Sequence, residues 1–326
     1  MMKLLTRAAV VAVLPLLAAT GPTWALDTLK VASAQKGFWD TSFVELGQDK
    51  GFFKDQGIKL DIVWTDGGAD AQQALITGSF DVGVATGILG VISAYSKGAP
   101  IVLLSSEMTG APDLYWYVRA DSPIKSLKDL EGKTFAFSRP GSSSNLVAAG
   151  LVKKSGTNAK LVSTGGPPAT LTQVMSGQID VGWSAAPVGL DLVKEGKIRV
   201  LATGNDAPGT AEQTVRVNAT NATVYKTRRD VLRRFLIAYQ KTLDWIYSSP
   251  DALQAYGSFA KVKPEVVEDV RTHYILKSDV ALNRMGGLDE TMKEAVETKR
   301  LAKPFTADQQ KAFLAPMMEL TKGLPK

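Results

Sequence analysis

The sequence has no cysteine and one histidine in 326 residues. The first absence excludes disulfide frameworks, thiolate zinc sites, iron–sulfur clusters and cysteine nucleophiles. With the second, a histidine-rich metal site is excluded as well, so no metal and no cofactor is expected. Past the N-terminus, no apolar run approaches the roughly 20 residues needed to span a bilayer. Nor is the chain short of core-forming residues: 45% are hydrophobic and 21% charged, which excludes intrinsic disorder. The length accommodates about two ordinary domains, each able to bury its own core.

Residues 1–25 read as a targeting segment. Lys3 and Arg7 precede an apolar run from Ala8 to Ala19, and Thr23 and Ala25 offer small residues at the −3 and −1 positions of a cleavage site. A signal peptide cleaved after about Ala25 is expected, with a freely diffusing product in the periplasm. Lipid anchoring is excluded because acylation needs cysteine. Losing Lys3 and Arg7 leaves 36 basic against 32 acidic residues, a net charge of +4. The basic residues are scattered apart from Arg228, Arg229, Arg233 and Arg234, which fall on a predicted helix and read as its solvated face. No nucleic-acid partner is expected.

The mature chain carries one pattern twice. Residues 67–86 read GGADAQQALITGSFDVGVAT and residues 165–185 read GGPPATLTQVMSGQIDVGWSA. Each has a Gly-Gly pair, a helical stretch, then Gly-x-[Phe/Ile]-Asp-Val-Gly. Upstream of each lie a strand, a loop, a helix and a second strand: 29–34, 35–40, 41–53 and 58–64 in the first copy, 134–137, 138–142, 143–154 and 160–163 in the second. The unit β-loop-α-β-GG-α-β implies a mainly parallel sheet with right-handed crossovers. Extended segments at 114–118 and 214–225 connect the two units and form a hinge. Helices are predicted at 229–247, 264–276, 288–299 and 306–322.

Parallel α/β units bind ligands at the carboxyl ends of their strands, and two units joined by a hinge set those ends across a cleft. The loop Ser138-Arg-Pro-Gly-Ser-Ser-Ser-Asn145 joins a helix N-terminus, hydroxyls and a cation, the parts of an anion site. Arg139 can pair bidentately with a carboxylate or sulfonate. Gly141 makes the turn, and Ser142, Ser143, Ser144 and Asn145 offer hydrogen bonds. The same string also reads as a plain helix cap. In the facing loop, Gln35, Lys36, Phe38 and Trp39 add a second cation and apolar faces, although one of the two aromatics is expected to pack inward. Gly67, Gly68 and Gly166 allow close backbone approach. Thr86, Gly87, Trp183, Ser184 and Pro187 follow the repeated strands to the cleft.

These residues carry a family resemblance. The signal peptide, the repeated motif, the phrase Asp49-Lys-Gly-Phe-Phe-Lys-Asp-Gln-Gly-Ile58 and the 138–145 loop resemble periplasmic substrate-binding proteins of ABC importers. More narrowly the chain resembles their nitrate/sulfonate/taurine class (NMT1/THI5-like), which includes a thiamine-precursor branch. The resemblance covers residues 27 to about 260. It implies a type II periplasmic-binding fold: domain 1 from 26–116 plus 219–326, domain 2 from 117–218, and a two-segment hinge between them. It further implies a monomer that closes on a small anionic solute and docks on a permease driven by a cytoplasmic ATPase. One departure is Trp183-Ser-Ala-Ala-Pro187, where relatives often carry an acidic or polar residue; a basic ligand group finds no partner there. The aromatics Phe38, Trp39, Trp64 and Trp183 favour an organic sulfonate or carboxylate over nitrate. A pyrimidine or thiamine precursor is the alternative ligand. The related pyrimidine-synthase enzymes rely on a cysteine and an active-site histidine. This chain has no cysteine, and His273 lies in the C-terminal helical region, so no enzyme is expected.

Overall fold

A computed structural model describes residues 25–325. All of the expected signal peptide except Ala25 lies outside that range. The chain builds two α/β lobes. In the first, β1 (Asp27–Ala34) is followed by a 3-10 turn at 40–42, α1 (Phe43–Asp49), α2 (Phe52–Asp55) and β2 (Ile58–Thr65). Then come α3 (Gly68–Ile76), β3 (Val82–Gly87), α4 (Ile88–Ser96) and β4 (Ile101–Thr109). The second lobe holds β5 (Leu114–Arg119), β6 (Thr134–Phe137), α5 (Ser143–Ser155), β7 (Lys160–Ser163), α6 (Pro167–Met175), β8 (Gly182–Ala185), α7 (Leu190–Lys194) and β9 (Ile198–Thr203). Strand β10 (Thr214–Asn221) returns to the first lobe. It leads into α8 (Ala222–Thr227), α9 (Arg229–Ser248), α10 (Pro250–Ala260), α11 (Pro264–Asp269), α12 (Leu288–Glu297) and α13 (Ala307–Leu320).

The first sheet runs β2-β1-β3-β10-β4. β1 lies parallel to β2 and β3, whereas β10 is antiparallel to β3 and β4. The second lobe has an antiparallel sheet β8-β5-β9 and a parallel pair β6-β7, linked by a bridge between Phe135 and Val181. Parallel pairing therefore holds among the repeat's own strands. The strand that comes back from the other lobe enters at the cleft, where the parallel strands end, and must run against them. Pairing assigns all of β5 to the second lobe and all of β10 to the first, so 116/117 and 218/219 fall inside strands. The crossings themselves are 110–113 and 204–213.

Local chemistry explains most element ends. Ser142 caps α5 by accepting from the Asn145 N–H, and Gly156 closes it in the left-handed region. Pro167 and Pro168 open α6. The helix predicted at 41–53 breaks at Gly51, whose φ of 86° turns the chain into α2. The extended segment predicted to reach residue 225 stops at Asn221, whose side chain caps α8. The helix predicted at 264–276 loosens into a π turn over 270–274.

The α9 periodicity holds: Leu232, Phe235, Leu236, Tyr239, Leu243 and Ile246 are all buried. Each such side chain contributes roughly 1.5–3 kcal/mol. The opposite face is less solvated than expected. Arg234 pairs with Asp27 at 2.6 Å, Arg228 with Asp81 at 3.5 Å, and Arg229 with Glu319 at 3.2 Å. Arg233 donates to the carbonyls of Leu320 and Lys322. These arginines clasp α9 to the sheet and to α13. In the second lobe, Trp116 stacks on Phe135 and donates to the Ala136 carbonyl. Among the described residues no helix is long and apolar enough to cross a membrane.

Candidate functional site

The lobes meet over a cavity of about 30 Å³, room for one or two waters. It lies at the carboxyl ends of β1, β3 and β6 and the start of β10. Gln35, Phe38, Gly67, Gly68, Ser142, Ser143, Ser144 and Trp183 of the sequence-predicted residues line it, joined by Ala34, Asp40, Thr41, Ala85, Leu114, Ser138 and Arg216.

The second-lobe wall is the start of α5. The hydroxyls of Ser138, Ser142 and Ser144 form a triangle with sides of 2.9–3.0 Å, and Ser144 also accepts from the Ser138 N–H. Ser142 is thus a helix cap and a wall residue at once. Ser143 reaches across the cleft, accepting from Arg216 Nε at 3.3 Å. Phe38 and Trp183 meet edge to face from opposite lobes, with centroids 6.4 Å apart.

The opposite wall is ionic. Arg216 donates two bonds of 2.7 Å to Asp113 and a third to Asp40; all three residues are buried. Asp40 also accepts from the Thr41 N–H. Burial acts against the Arg216 charge, but Asp113 and Asp40 more than offset it and hold the guanidinium above its ordinary pKa. Burial raises Asp113 from its ordinary value even with Arg216 beside it. Behind this cluster, Glu107 accepts from Tyr239 at 2.6 Å and from the Ala85 N–H at 2.9 Å. Burial first, then the charge of Asp40, pushes Glu107 up to about 8. Ala85 presents that N–H from a left-handed backbone, φ 55°, a strained conformation typical of built sites.

Several expected residues stand elsewhere. Lys36 turns out of the cavity, its Nζ 3.5 Å from Glu45 and over the rings of Trp64 and Phe259. Because the ring of Trp64 packs against Phe259, it does not line the cavity. Trp39 is the aromatic that packs inward: it donates to Tyr247 and sits 4.6 Å from Tyr256 between ring centroids. Thr86 is buried beneath the wall, bonded to the Val217 carbonyl. Gly87 touches the other lobe through backbone, as a Cβ there would lie 2.4 Å from the Gly141 oxygen. Arg139 sits at the rim, 3.6 Å from both Asp66 and Asp70 of the first lobe. It is a latch across the cleft mouth rather than a wall residue. Asn145 accepts from the Gly141 N–H and from Arg300. Gly166 lies beside the Gln35 amide without lining the cavity. Ser184 bonds the Val188 carbonyl and, with the cis peptide before Pro187, belongs to the turn after β8. His273 is exposed beside Asp269. No cluster that could hold a metal occurs among the described residues.

Sequence reading missed Arg216, Asp40 and Asp113. Arg216 interrupts an apolar strand, Val215-Arg-Val217, which is a visible signal. Asp40 ends the loop read at 35–40 and Asp113 precedes the extended segment read at 114–118, but nothing local marks either as its partner.

Two α/β lobes, two crossings and a charged cavity between the strand ends define the two-lobed periplasmic-binding fold. The alkanesulfonate-binding protein SsuA from Xanthomonas axonopodis pv. citri shares it, with a TM-score of 0.71 at 17% identity, covering 93% of this chain and 96% of that one. So does the periplasmic nitrate-binding protein NrtA from Synechocystis PCC 6803, with a TM-score of 0.70 at 13% identity, covering 92% and 89%. Within that fold, the chain belongs to the NMT1/THI5-like family, whose model matches residues 41–253. A curated relative is the 4-amino-5-hydroxymethyl-2-methylpyrimidine phosphate synthase THI5 of Saccharomyces cerevisiae, 20% identical over 243 residues, 69% of this chain and 68% of that protein.

Proposed function

We propose that the protein is a periplasmic solute-binding receptor that captures a small organic anion, sulfonate or carboxylate, and delivers it to an ABC permease. The observation that carries this reading is the interlobe cavity, where the α5 N-terminus faces a buried Arg216. Free N–H groups at the helix start receive the anionic head, facing an Arg216 whose own charge is taken up by Asp40 and Asp113. Phe38 and Trp183 supply apolar contact to its body. A solute of several heavy atoms enters only when the lobes part. Closure then buries it, and ligand shifts the population toward the closed form that the permease recognises.

The ionic wall narrows the solute further. Arg216 is already matched by Asp40 and Asp113, so the wall holds no spare positive charge. A ligand carrying only negative charge gains nothing there, whereas one that also has a protonated nitrogen can place it against Asp40. The site therefore favours a taurine-like zwitterion over nitrate or a plain carboxylate. Export, a cleaved leader and a monomeric state belong to the same proposal.

Calorimetric titration with taurine, an alkanesulfonate, benzoate and nitrate tests it. Taurine binding tightest, with the affinity lost in Asp40→Asn, supports the reading; nitrate binding tightest overturns it, and benzoate binding tightest overturns the zwitterion preference. The pyrimidine-synthase relative supplies a second reading, catalysis. Recovery of an added pyrimidine or sulfonate unchanged after long incubation supports a receptor, and a chemically altered product supports an enzyme.

A further inference from the structure

We propose a second ligand site, for a small organic cation of the amidine or guanidine type, in the groove between α5, α12 and the return crossing. Its cavity measures about 420 Å³, within the range of small-molecule pockets and far larger than the one between the strand ends. Leu146 and Ala149 of α5 and Pro208 of the crossing give it an apolar side. Its polar side is unfinished. Gln213, 1% exposed, lies close enough to Glu294 to steady its carboxylate, yet neither of its amide atoms nor Oε2 of Glu294 reaches hydrogen-bond geometry with any partner. A buried amide or carboxyl oxygen left unbonded is unfavourable, and an occupant that bonds it recovers that free energy.

The charges decide the occupant's sign. Lys153 is paired with Glu297 at 2.9 Å and Lys293 with Glu290 at 2.6 Å, and Lys154 donates to the Asp206 carbonyl. Among the described residues lining the groove, Lys154 and Glu294 lack an ion-pair partner; Lys154 is exposed with its tip on a carbonyl, whereas Glu294 is half-buried beside Gln213. Burial pushes its carboxyl up, and the neighbouring Glu297 and Glu290 push the same way, while Gln213 and Lys153 pull it down. A cation set against it keeps it ionised and matches it. Gln213 Oε1 supplies a second acceptor. An amidine or guanidine offers a planar row of N–H donors suited to two acceptors, and its hydrocarbon body covers Leu146 and Ala149. A carboxylate or sulfonate finds only the exposed Lys154 and would lie against Glu294, so this site differs in charge preference from the one between the strand ends.

The walls come from both lobes, α5 from the second and α12 from the first, with the crossing between them. An occupant is therefore coupled to closure, and reciprocally the cleft ligand is coupled to this groove.

The probe is benzamidine, with benzoate as a control of the same shape and opposite charge. Titrated calorimetrically into the purified protein, benzamidine binds and benzoate does not. Glu294→Gln weakens benzamidine at least tenfold, and Leu146→Trp, which fills the groove, abolishes binding while the far-ultraviolet circular dichroism is unchanged. A crystal structure with benzamidine shows it against Glu294 and Gln213. Absence of binding at millimolar benzamidine, equal binding of benzoate, an affinity indifferent to Glu294→Gln, or benzamidine located at Asp40 in the cleft each overturns the proposal.

Discussion

Replacing Arg216 with methionine puts the ionic wall to its most direct test. The substitution keeps an apolar stem but leaves Asp40 and Asp113 buried, at 1% exposure each, without their shared cation. Breaking a buried pair by removing one partner costs about 3–5 kcal/mol, because the remaining charge stays desolvated. That is a large part of the 5–15 kcal/mol by which native proteins are stable. Asp40 keeps one bond, from the Thr41 N–H, so the lower half of the range applies if that bond holds. With a urea m-value of about 3 kcal/mol/M, the unfolding midpoint at pH 7 falls by roughly 1–1.3 M. The triple variant Arg216→Met, Asp40→Asn, Asp113→Asn removes the stranded charges and regains most of the loss. A midpoint shift for Arg216→Met under about 0.3 M, or a triple variant no more stable than the single one, refutes the assignment of the wall as a charge-compensated cluster.

Other outcomes follow from the same geometry. Gly87→Ala places a Cβ 2.4 Å from the Gly141 oxygen and 2.8 Å from the Ser142 Cα; its φ of −72° admits alanine, so the lobes are wedged apart rather than unfolded. Solution scattering shows a larger radius of gyration, and cleft-ligand affinity falls at least tenfold. Arg139→Ala removes only exposed pairs at the rim, so stability changes by less than about 0.5 kcal/mol; cleft-ligand dissociation speeds up, which stopped-flow displacement reads. Glu107 is raised in the folded state from 4.5 to about 8, so its contribution is fully present below pH 4.5 and is lost as pH rises toward 8. The fall is of order 5 kcal/mol, and Glu107→Gln flattens that slope in urea melts taken from pH 5 to pH 8.

Much of the architecture was legible because it is written in local pattern. The duplicated Gly-Gly and Asp-Val-Gly phrases fix where parallel strands end, the spacing of Leu232, Phe235, Leu236 and Tyr239 fixes the buried face of α9, and Ser142 and Gly156 bracket α5. The sequence also determined which loops face the cleft, since strand ends and helix starts are set by neighbours in the chain. Element ends such as Gly51 and Asn221 were harder to read, because a left-handed glycine or a capping asparagine competes with a periodicity that runs on past it.

What the tertiary structure alone decided is the charge of the site. Lys36 and Arg139 sit in the right loops, yet each finds carboxylates outside the cavity, Glu45 for one and Asp66 with Asp70 for the other. The cation that reaches the wall, Arg216, lies 176 residues from Asp40 and 103 from Asp113. Sequence spacing cannot report such a meeting. Desolvation compels it: a guanidinium carried into the interior on β10 must find carboxylates there, and only the returning strand, entering the sheet at the cleft, brings the three together.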